Sequence, residues 1–595
     1  MMNKDIEDFR GFQRRSMILG IGKAFFSFIL IGKLYYLQII NQSKYGKLSE
    51  SNRIKIRILY PERGIIFDDS KKKLAQNRID YQITILKEKK KSIDDYIMNL
   101  SKVINFSETD YIDLKKNIKR RNLDDFIIIK RDLTWEELEI FEYYSHYFPF
   151  LSINKQKVRS YESNYAFSHV LGYVGYQSKK TNKNFSPELK VGKTGFEKVY
   201  NYKLIGKEGI QKVESNSGGK VVRLLDAKKS KSGSNINTYL NKEIQEFGYE
   251  LIKDKSASIV LIDCKSGGVL SLVSAPSFNI NDFSYGIKDE TWKSLSNDQL
   301  NPLLNKTISG LYSPGSTFKL IAALAIYQDK RFNPNQSFFC NGSVELANHK
   351  FHCWKRKGHG MMDLNSAIKE SCDCYFYNIA NGIDINELAK IARVFAIGKT
   401  TGIDLPNESK GIMPDEKWKR KNRSDIWHLG ETYNAIIGQG FTLSTPLQMA
   451  IMTARIASGR MISPKLLKEN STKLFNKINI DPKYFNLVRN SMFKVVNEYK
   501  GTAYSSRLKN SKYKMAGKTG TSQVRRISLN ERETGVLENK ELPYELRDHS
   551  IFSGFAPFDD PRYAVSVVVE HHGSGSKYAA PIARDVMDFT LSIKG

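Results

Sequence analysis

Between Met17 and Ile40 the chain is almost wholly apolar, MILGIGKAFFSFILIGKLYYLQII, and no later stretch sustains such a run. Wound as a helix, that length crosses the roughly 30 Å hydrocarbon layer of a bilayer, so residues 16–40 are predicted to be a transmembrane anchor behind a tail, 1–15. Lys23 and Lys33 interrupt it toward its ends, where a lysine can extend its ammonium to the headgroups. The segment is longer than the apolar core of a signal peptide, and no small-residue cleavage site follows, so the anchor is read as uncleaved. Basic residues flank it on both sides, Lys4, Arg10, Arg14 and Arg15 before and Lys44, Lys47, Arg53, Lys55 and Arg57 after. Charge alone therefore leaves its orientation open.

Beyond the anchor the apolar positions shorten their period. In 41–230, YQITIL (81–86) reads as a strand and LEIFEYYSHYFPF (138–150) has helical spacing, but no nucleophile–base pair stands out. Near 214–235 the pattern lapses into ESNSGGK and KKSKSGSN, the composition of a turn or linker, which places a domain boundary at about 230. A helix, NKEIQEFGYELIKD, then precedes two strands, SASIVLIDC and VLSLVSAP, around a KSGG turn. The chain closes with DHSIFSGFAP and YAVSVVVEHH as strands and PIARDVMDFTLSI as a helix. The predicted class is α+β: a domain over 231–595 whose antiparallel sheet is assembled from both ends of the region and covered by helices, on an α+β pedestal over 41–230. Residues 525–546 read as an exposed loop, and no solenoid-length repeat is present.

Length and charge narrow the function classes. A chain of 595 residues exceeds what one core serves. Lys and Arg outnumber Asp and Glu by 93 to 63, a net charge of +30, which favours anionic surfaces. The lysines are scattered through KEKKK, KNIKRR and KKSKSG, and no zinc-finger, RNA-recognition or basic-zipper pattern accompanies them, so a nucleic-acid partner is not expected. Five cysteines are too few for a disulfide scaffold, but four of them, Cys340, Cys353, Cys372 and Cys374, crowd into one stretch while Cys264 stands alone.

Candidate chemistry begins at SGLYSPGSTFKLIAAL, from Ser309, where a Pro-Gly is followed by Ser316 and, one helical turn on, by Lys319 inside an apolar run. Residues three apart share a helix face, and a lysine in apolar surroundings can lose its proton and act as base to a serine. Alone, S-x-x-K is weak. A second piece, Ser371-Cys372-Asp373, lies between a helical run and an aromatic-rich helix. A third, Lys518-Thr519-Gly520-Thr521, should begin a strand, with Gly520 leaving room for a substrate lying along it and the two threonines offering hydroxyls to a carboxylate.

In this order the three match the S-x-x-K, S-D-N and K-T-G set of penicillin-binding proteins and serine β-lactamases. With PERGIIFDD (61–69), GKTGFEKVYN (192–201), TGIDLPNESKG (401–411), IGQGFTLSTPLQMA (437–450) and DHSIFSGFAP (548–557), the chain resembles the class B penicillin-binding proteins of the elongation type from anchor to C-terminal helix. Two departures stand out. Asp69 occupies a position where the family pattern usually has Arg, which puts an ion pair there in doubt, and Asp373 replaces the asparagine of S-x-N, as in elongation-type members. The resemblance implies a transpeptidase domain on a non-catalytic pedestal in the bacterial inner membrane, with the catalytic domain in the periplasm. It also implies cross-linking of peptidoglycan stem peptides through an acyl-enzyme on Ser316, which β-lactams would trap. Lys319, unprotonated in the free site, would take the serine proton. Ser371 would relay a proton to the leaving amine, and Asp373 and Lys518 would organise the site. Thr519 and Thr521 would hold the substrate carboxylate. The N–H groups of Ser316 and Thr521 would form the oxyanion hole. A RodA-type glycosyltransferase and an MreC-type scaffold are the implied partners. Septal transpeptidase, D,D-carboxypeptidase and β-lactam sensor are the competing readings.

No cofactor is expected to be needed for catalysis. Cys340, Cys353, His359 and Cys372 nonetheless offer three thiolates and an imidazole, a set suited to tetrahedral zinc, with His352 as a competing ligand. A Cys340–Cys353 disulfide or free thiols are the alternatives. Gram-negative elongation-type relatives resemble this arrangement, with carboxylates in place of some thiolates. His549, His571 and His572 are given a structural role. Arg63 and Asp68 are expected to tie the anchor-proximal segment to its neighbours.

Overall fold

The structure is a computed structural model and describes residues 2–86, 93–106, 110–111, 114, 126–148, 151–176, 189–215, 221–329, 331–333, 335–347, 349–468, 474–525, 531 and 537–595. The chain divides into two compact units, Met1–Pro61 with Gly206–Ser232, and Glu62–Ile205 with Gly233–Gly595.

The first unit carries the anchor. A helix runs over Met2–Tyr35, turns through a π-helical segment at Tyr36–Ile40 and resumes as Gln42–Arg53. Arg10–Ile40 within it has the length and apolarity to cross a membrane. A three-stranded antiparallel sheet follows, with Gly209–Ser215 in the middle, flanked by Ile54–Leu59 and Val221–Lys228. The 214–235 linker expected from composition is thus mostly strand. VVRLLDAK forms an antiparallel hairpin with Gly209–Ser215, the strand just before it in the chain. Residues 216–220, the Gly-rich part of that stretch, lie outside the described residues.

In the second unit the N-terminal part is built around the long strand Lys73–Leu86, the strand expected at YQITIL, which pairs with Leu151–Tyr161 over eleven residue pairs and with Phe126–Lys130. Helix Trp135–Tyr144 closes this layer, capped by the Thr134–Glu137 capping box. It ends short of the expected 138–150 span, and residues 149–150 lie outside the described set. Asp68 accepts the N–H groups of Ser70, Lys72 and Lys242, and so ties the segment after the anchor to the first helix of the following domain. Asp69 does form an ion pair, with Lys594 near the chain's end, and it also accepts Asn241. The family's charge is inverted there, and a lysine meets the inverted charge.

The C-terminal domain is a five-stranded antiparallel sheet between helices. In chain order its elements are α1 (Lys242–Ile252), β1 (Ala257–Asp263), β2 (Val269–Ala275), α2 (Lys319–Gln328), α3 (Asp373–Ala380), α4 (Pro446–Ser458), α5 (Pro482–Asn497), β3 (Ala516–Ser522), β4 (His549–Ala556), β5 (Tyr563–Val569) and α6 (Ala579–Lys594). Strand order is β2-β1-β5-β4-β3, so both ends of the region do build one sheet and β3 lies at its edge. The continuous apolar runs of β1 and β5 reflect burial on both faces. Met449 of α4 packs on Ile551 and Val568, whereas the N–H of Ala579, at the start of α6, binds the neighbouring Ser550 hydroxyl. Adjacent strand residues point to opposite faces, so α4 and α6 cover opposite sides of the sheet.

Candidate active site

Ser316 sits in a single 3-10 turn, Gly315–Thr317, and α2 begins only at Lys319. The turn is wedged against edge strand β3. Gly315 has φ +53°, and a Cβ there would lie 2.5 Å from the Thr521 carbonyl oxygen. A Cβ on Gly520 would lie 2.9 Å from the Pro314 carbonyl oxygen and 3.2 Å from Thr317. The room that Gly520 leaves is therefore filled by the nucleophile turn, not kept for substrate, and the two glycines together bring Ser316 against β3. Gln439, from the IGQG stretch, donates to the Thr521 carbonyl and fixes the same corner.

Behind the turn α2 is buried on every side, and Lys319 has 0% exposure. Its Nζ lies 2.7 Å from Asp373 Oδ1, 2.9 Å from the Ser371 carbonyl and 3.4 Å from Ser371 Oγ. No hydrogen bond joins it to Ser316 among the described residues, so the expected direct amine–hydroxyl contact is replaced by an ion pair with Asp373. Ser371 occupies a left-handed turn, φ +59°. Its hydroxyl also accepts from Lys518 Nζ at 2.8 Å, and Lys518 donates in addition to the Thr519 carbonyl at 3.1 Å. Ser371 thus bridges two fully buried lysines. Burial, reinforced by the charge of Lys319, holds the Lys518 amine well below the ordinary lysine range. Burial likewise pushes the Asp373 carboxyl up against the opposing pull of Lys319. Thr519 shares a hydroxyl–hydroxyl bond of 2.7 Å with Thr502, and Thr521 is half-buried at the open edge of β3. An extended peptide can add there as a further strand.

The cysteine cluster adjoins this site. One donor atom from each of Cys340, Cys353, His359 and Cys372 lies within 4.8 Å of the others. His359 Nδ1 is 3.5 Å from the sulfurs of both Cys340 and Cys353. Tetrahedral zinc with bonds of about 2.0 Å to nitrogen and 2.3 Å to sulfur requires an N···S edge of about 3.5 Å, so the donor set fits the ion in chemistry and spacing. All five cysteines are free thiols, and His352 stands outside the set. The cluster is strapped to the catalytic turn: the Asp373 N–H points at Cys353 Sγ (3.4 Å), the Trp354 N–H donates to Asp373 Oδ2 (3.0 Å) and the Trp354 indole donates to the Glu370 carbonyl (3.1 Å). Thr502, Gln439 and Trp354 were given no role by the sequence. Gln439, inside the IGQG stretch, and Trp354, next to a cysteine of the cluster, carried signals that could have flagged them.

A serine in a turn at a sheet edge, backed by two desolvated lysines that share a second serine, defines a serine acyltransferase site of the S-x-x-K kind. Residues 257–588 match the penicillin binding protein transpeptidase domain and residues 58–238 the penicillin-binding protein dimerisation domain, and the chain belongs to that transpeptidase family. It is 34% identical to the peptidoglycan D,D-transpeptidase MrdA of Haemophilus influenzae over 98% of this chain and 92% of that protein. Identity is 31% to the Escherichia coli protein of the same name, over 98% and 94%. Among solved structures, the penicillin-binding protein PBP2 of Helicobacter pylori in complex with MreC superposes with a TM-score of 0.79 at 31% identity, over 91% of this chain and 99% of that one.

Proposed function

We propose that this chain is a peptidoglycan D,D-transpeptidase of the elongation type, acting through an acyl-enzyme on Ser316. The Lys319–Ser371–Lys518 chain of hydrogen-bonding groups behind the Ser316 turn carries the reading. A stem peptide laid along β3 brings its terminal carboxylate to Thr519, Thr521 and Lys518. That negative charge, arriving as water leaves, raises the proton affinity of Lys518. A proton then passes from Lys319 through the Ser371 hydroxyl to Lys518, and Lys319 is left as a free amine one turn from Ser316. Ser316 Oγ gives its proton to that amine and attacks the penultimate D-alanine carbonyl. The oxyanion forms at the N–H groups of Ser316 and Thr521. Ser371 returns a proton to the leaving D-alanine amine, and an amine of a neighbouring stem then takes the acyl group. Asp373 holds the Lys319 amine in place beside Ser371 through the 2.7 Å ion pair.

Labelled penicillin should acylate the full-length chain in detergent once per chain, and Ser316→Ala should abolish labelling. Labelling that survives in Ser316→Ala would overturn the assignment. Release of D-alanine without cross-linked product would make the chain a carboxypeptidase.

The rest of the proposal is an inner-membrane protein held by its N-terminal helix, with the catalytic domain periplasmic, working with a RodA-type glycosyltransferase and an MreC-type scaffold, the last supported by the Helicobacter pylori PBP2 solved with MreC. Cys340, Cys353, His359 and Cys372 would hold a structural zinc, which supplies fixed thiolate geometry beside the catalytic turn. The strap through Cys353 and Trp354 then sets where Asp373 and Ser371 stand. Purified Ser316→Ala protein should carry one zinc per chain by elemental analysis, and Cys340→Ser should lose it and melt at lower temperature. Metal-free protein with an unchanged melt on zinc addition would remove this part.

A further inference from the structure

A cavity of about 400 Å³ lies on the far side of the Ser309–Tyr312 segment that leads into the nucleophile turn, walled by Tyr312, Tyr544, His549, His571, Glu545 and Glu570 and by the 299–304 loop. Two of its walls are linked through the backbone to residues of the proposed oxyanion hole. Tyr312 is four residues before Ser316, and His549 pairs in register with Ser522, the residue after Thr521. The rings form a box: His549 stands edge-on to Tyr312 at 5.4 Å and to His571 at 4.5 Å, and Tyr544 lies 4.9 Å from His571. Both imidazoles have their Nδ1 committed to backbone, His549 accepting the His571 N–H and His571 meeting the Arg547 carbonyl. Burial, with His571 alongside, lowers His549 to about 4, so its ring is uncharged at neutral pH.

The charges of this cavity run against those of the chain. In a protein of net charge +30 its lining carries two carboxylates and no lysine or arginine. Glu570 takes hydroxyl donors on both oxygens, Tyr312 at 2.6 Å and Ser256, yet no lysine or arginine pairs with it among the described residues. The Lys306 ammonium feels the Glu570 charge but makes no ion pair with it, and the carbonyls of Leu300 and Asn301 hold it at 2.7 and 3.3 Å. Arg547 is engaged by the Leu542 carbonyl. A carboxylate with no direct ion pair, beside a cluster of aromatic rings, is the chemistry that recognises an organic ammonium, which draws on both the charge and the ring quadrupoles.

We infer that this cavity binds a primary alkylammonium group, with Glu570 as its counter-ion and the rings of Tyr312, Tyr544, His549 and His571 around its alkyl stem. Two sources carry that group: the diamino-acid side chain of a stem peptide and a free diamine. The first rests on the transpeptidase reading, and the second does not. A ligand here bears on both flanks of the oxyanion hole, so occupancy should alter the rate of acylation at Ser316.

The test uses full-length Ser316→Ala protein in detergent, in which the cleft cannot react, and isothermal titration with 1,5-diaminopentane, with 1-hexanol as the uncharged control. A purified disaccharide-tetrapeptide is compared with the same compound acetylated on its side-chain amine. Saturable binding of the diamine or of the amine-bearing muropeptide is expected, with none for hexanol and about tenfold weaker binding for the acetylated compound. Glu570→Gln should erase that preference for the amine. Tyr544→Leu, half-buried in a short 3-10 turn outside the core, should weaken binding several-fold with little change in the melt, which guards against a folding defect in the first variant. Preference for the muropeptide over the diamine assigns the stem peptide as source, and the reverse assigns a free amine. Failure of both to bind in the millimolar range, or binding unchanged by Glu570→Gln, would overturn the inference. Penicillin labelling of the unsubstituted chain reports separately on the transpeptidase reading.

Discussion

In the pedestal, Arg63 and Arg159 enclose Glu197, with bonds of 2.6 and 2.7 Å, and Tyr161 adds a third donor at 3.3 Å. In the cleft, Lys319 and Lys518 stand around Asp373 and Ser371. Both clusters are buried and both set two cations against one carboxylate, yet their protons are held differently. Glu197 is fully buried, and burial alone would raise its pKa, but the two guanidiniums overcome that and hold it below the carboxylate range. Arginine cannot be deprotonated in a protein, so the pedestal cluster has one charge state and acts as a fixed clamp joining residues 63, 159 and 197. Asp373 is shifted the other way because burial outweighs the pull of Lys319, and burial together with the Lys319 charge pushes Lys518 down. The cleft therefore contains a proton with more than one place to go. The same count of charges gives a clamp with arginine and a relay with lysine.

The most severe way to break this contrast is to make the cleft resemble the pedestal. Lys518→Arg keeps the positive charge and removes the ability to be neutral. The rate of acylation by labelled penicillin should fall about 10²–10⁴-fold, the range typical of lost proton transfer. A variant that still acylates within a factor of a few would show that no proton needs to reach residue 518. The counterpart in the pedestal is Glu197→Gln, which leaves two buried guanidiniums without their counter-charge. It should cost about 3–5 kcal/mol of unfolding free energy in denaturant titrations, while the folded fraction acylates at the unsubstituted rate. A stable variant, or one that folds but acylates slowly, would mean that the clamp also shapes the cleft.

How far the sequence reveals this contrast depends on the residue. The sheet, its strand pairing from both ends of the region and the K-T-G edge were legible, because β1, β4 and β5 are short apolar runs bounded by turns. The Val221–Lys228 strand was not, since the Gly/Ser/Lys-rich residues around it hide a hairpin with the strand just before it, Gly209–Ser215. In the cleft the three motifs name Ser316, Lys319, Ser371 and Lys518. What they cannot supply is which amine faces which oxygen, and S-x-x-K spacing suggested a Lys319–Ser316 contact where the fold instead turns Lys319 to Asp373. Gly520 was misread for a similar reason: the atoms that would collide with a Cβ belong to a turn some two hundred residues earlier. The cysteine cluster was legible as a ligand set, but the Trp354 strap joining it to Asp373 consists largely of backbone groups, which leave no trace in composition.

The mildest test leaves every residue in place and varies pH. Lys518 is held below its ordinary pKa and, in the relay, must be neutral before substrate arrives. Below that depressed pKa it is protonated and cannot accept, so the acylation rate should rise about tenfold per pH unit and then level off at a pH well below 10.5. In the pedestal the sign is reversed. Glu197 has a depressed pKa, so the stability it confers is complete above its ordinary value of 4.5 and is lost as pH falls through the folded one. Acid should thus silence the cleft while the clamp still holds, over a window between the two transitions in which the chain is folded, by its melting profile, but acylates slowly. If activity and stability instead fell together on acidification, loss of the fold would explain the activity limb and the distinction between relay and clamp would have no support in solution.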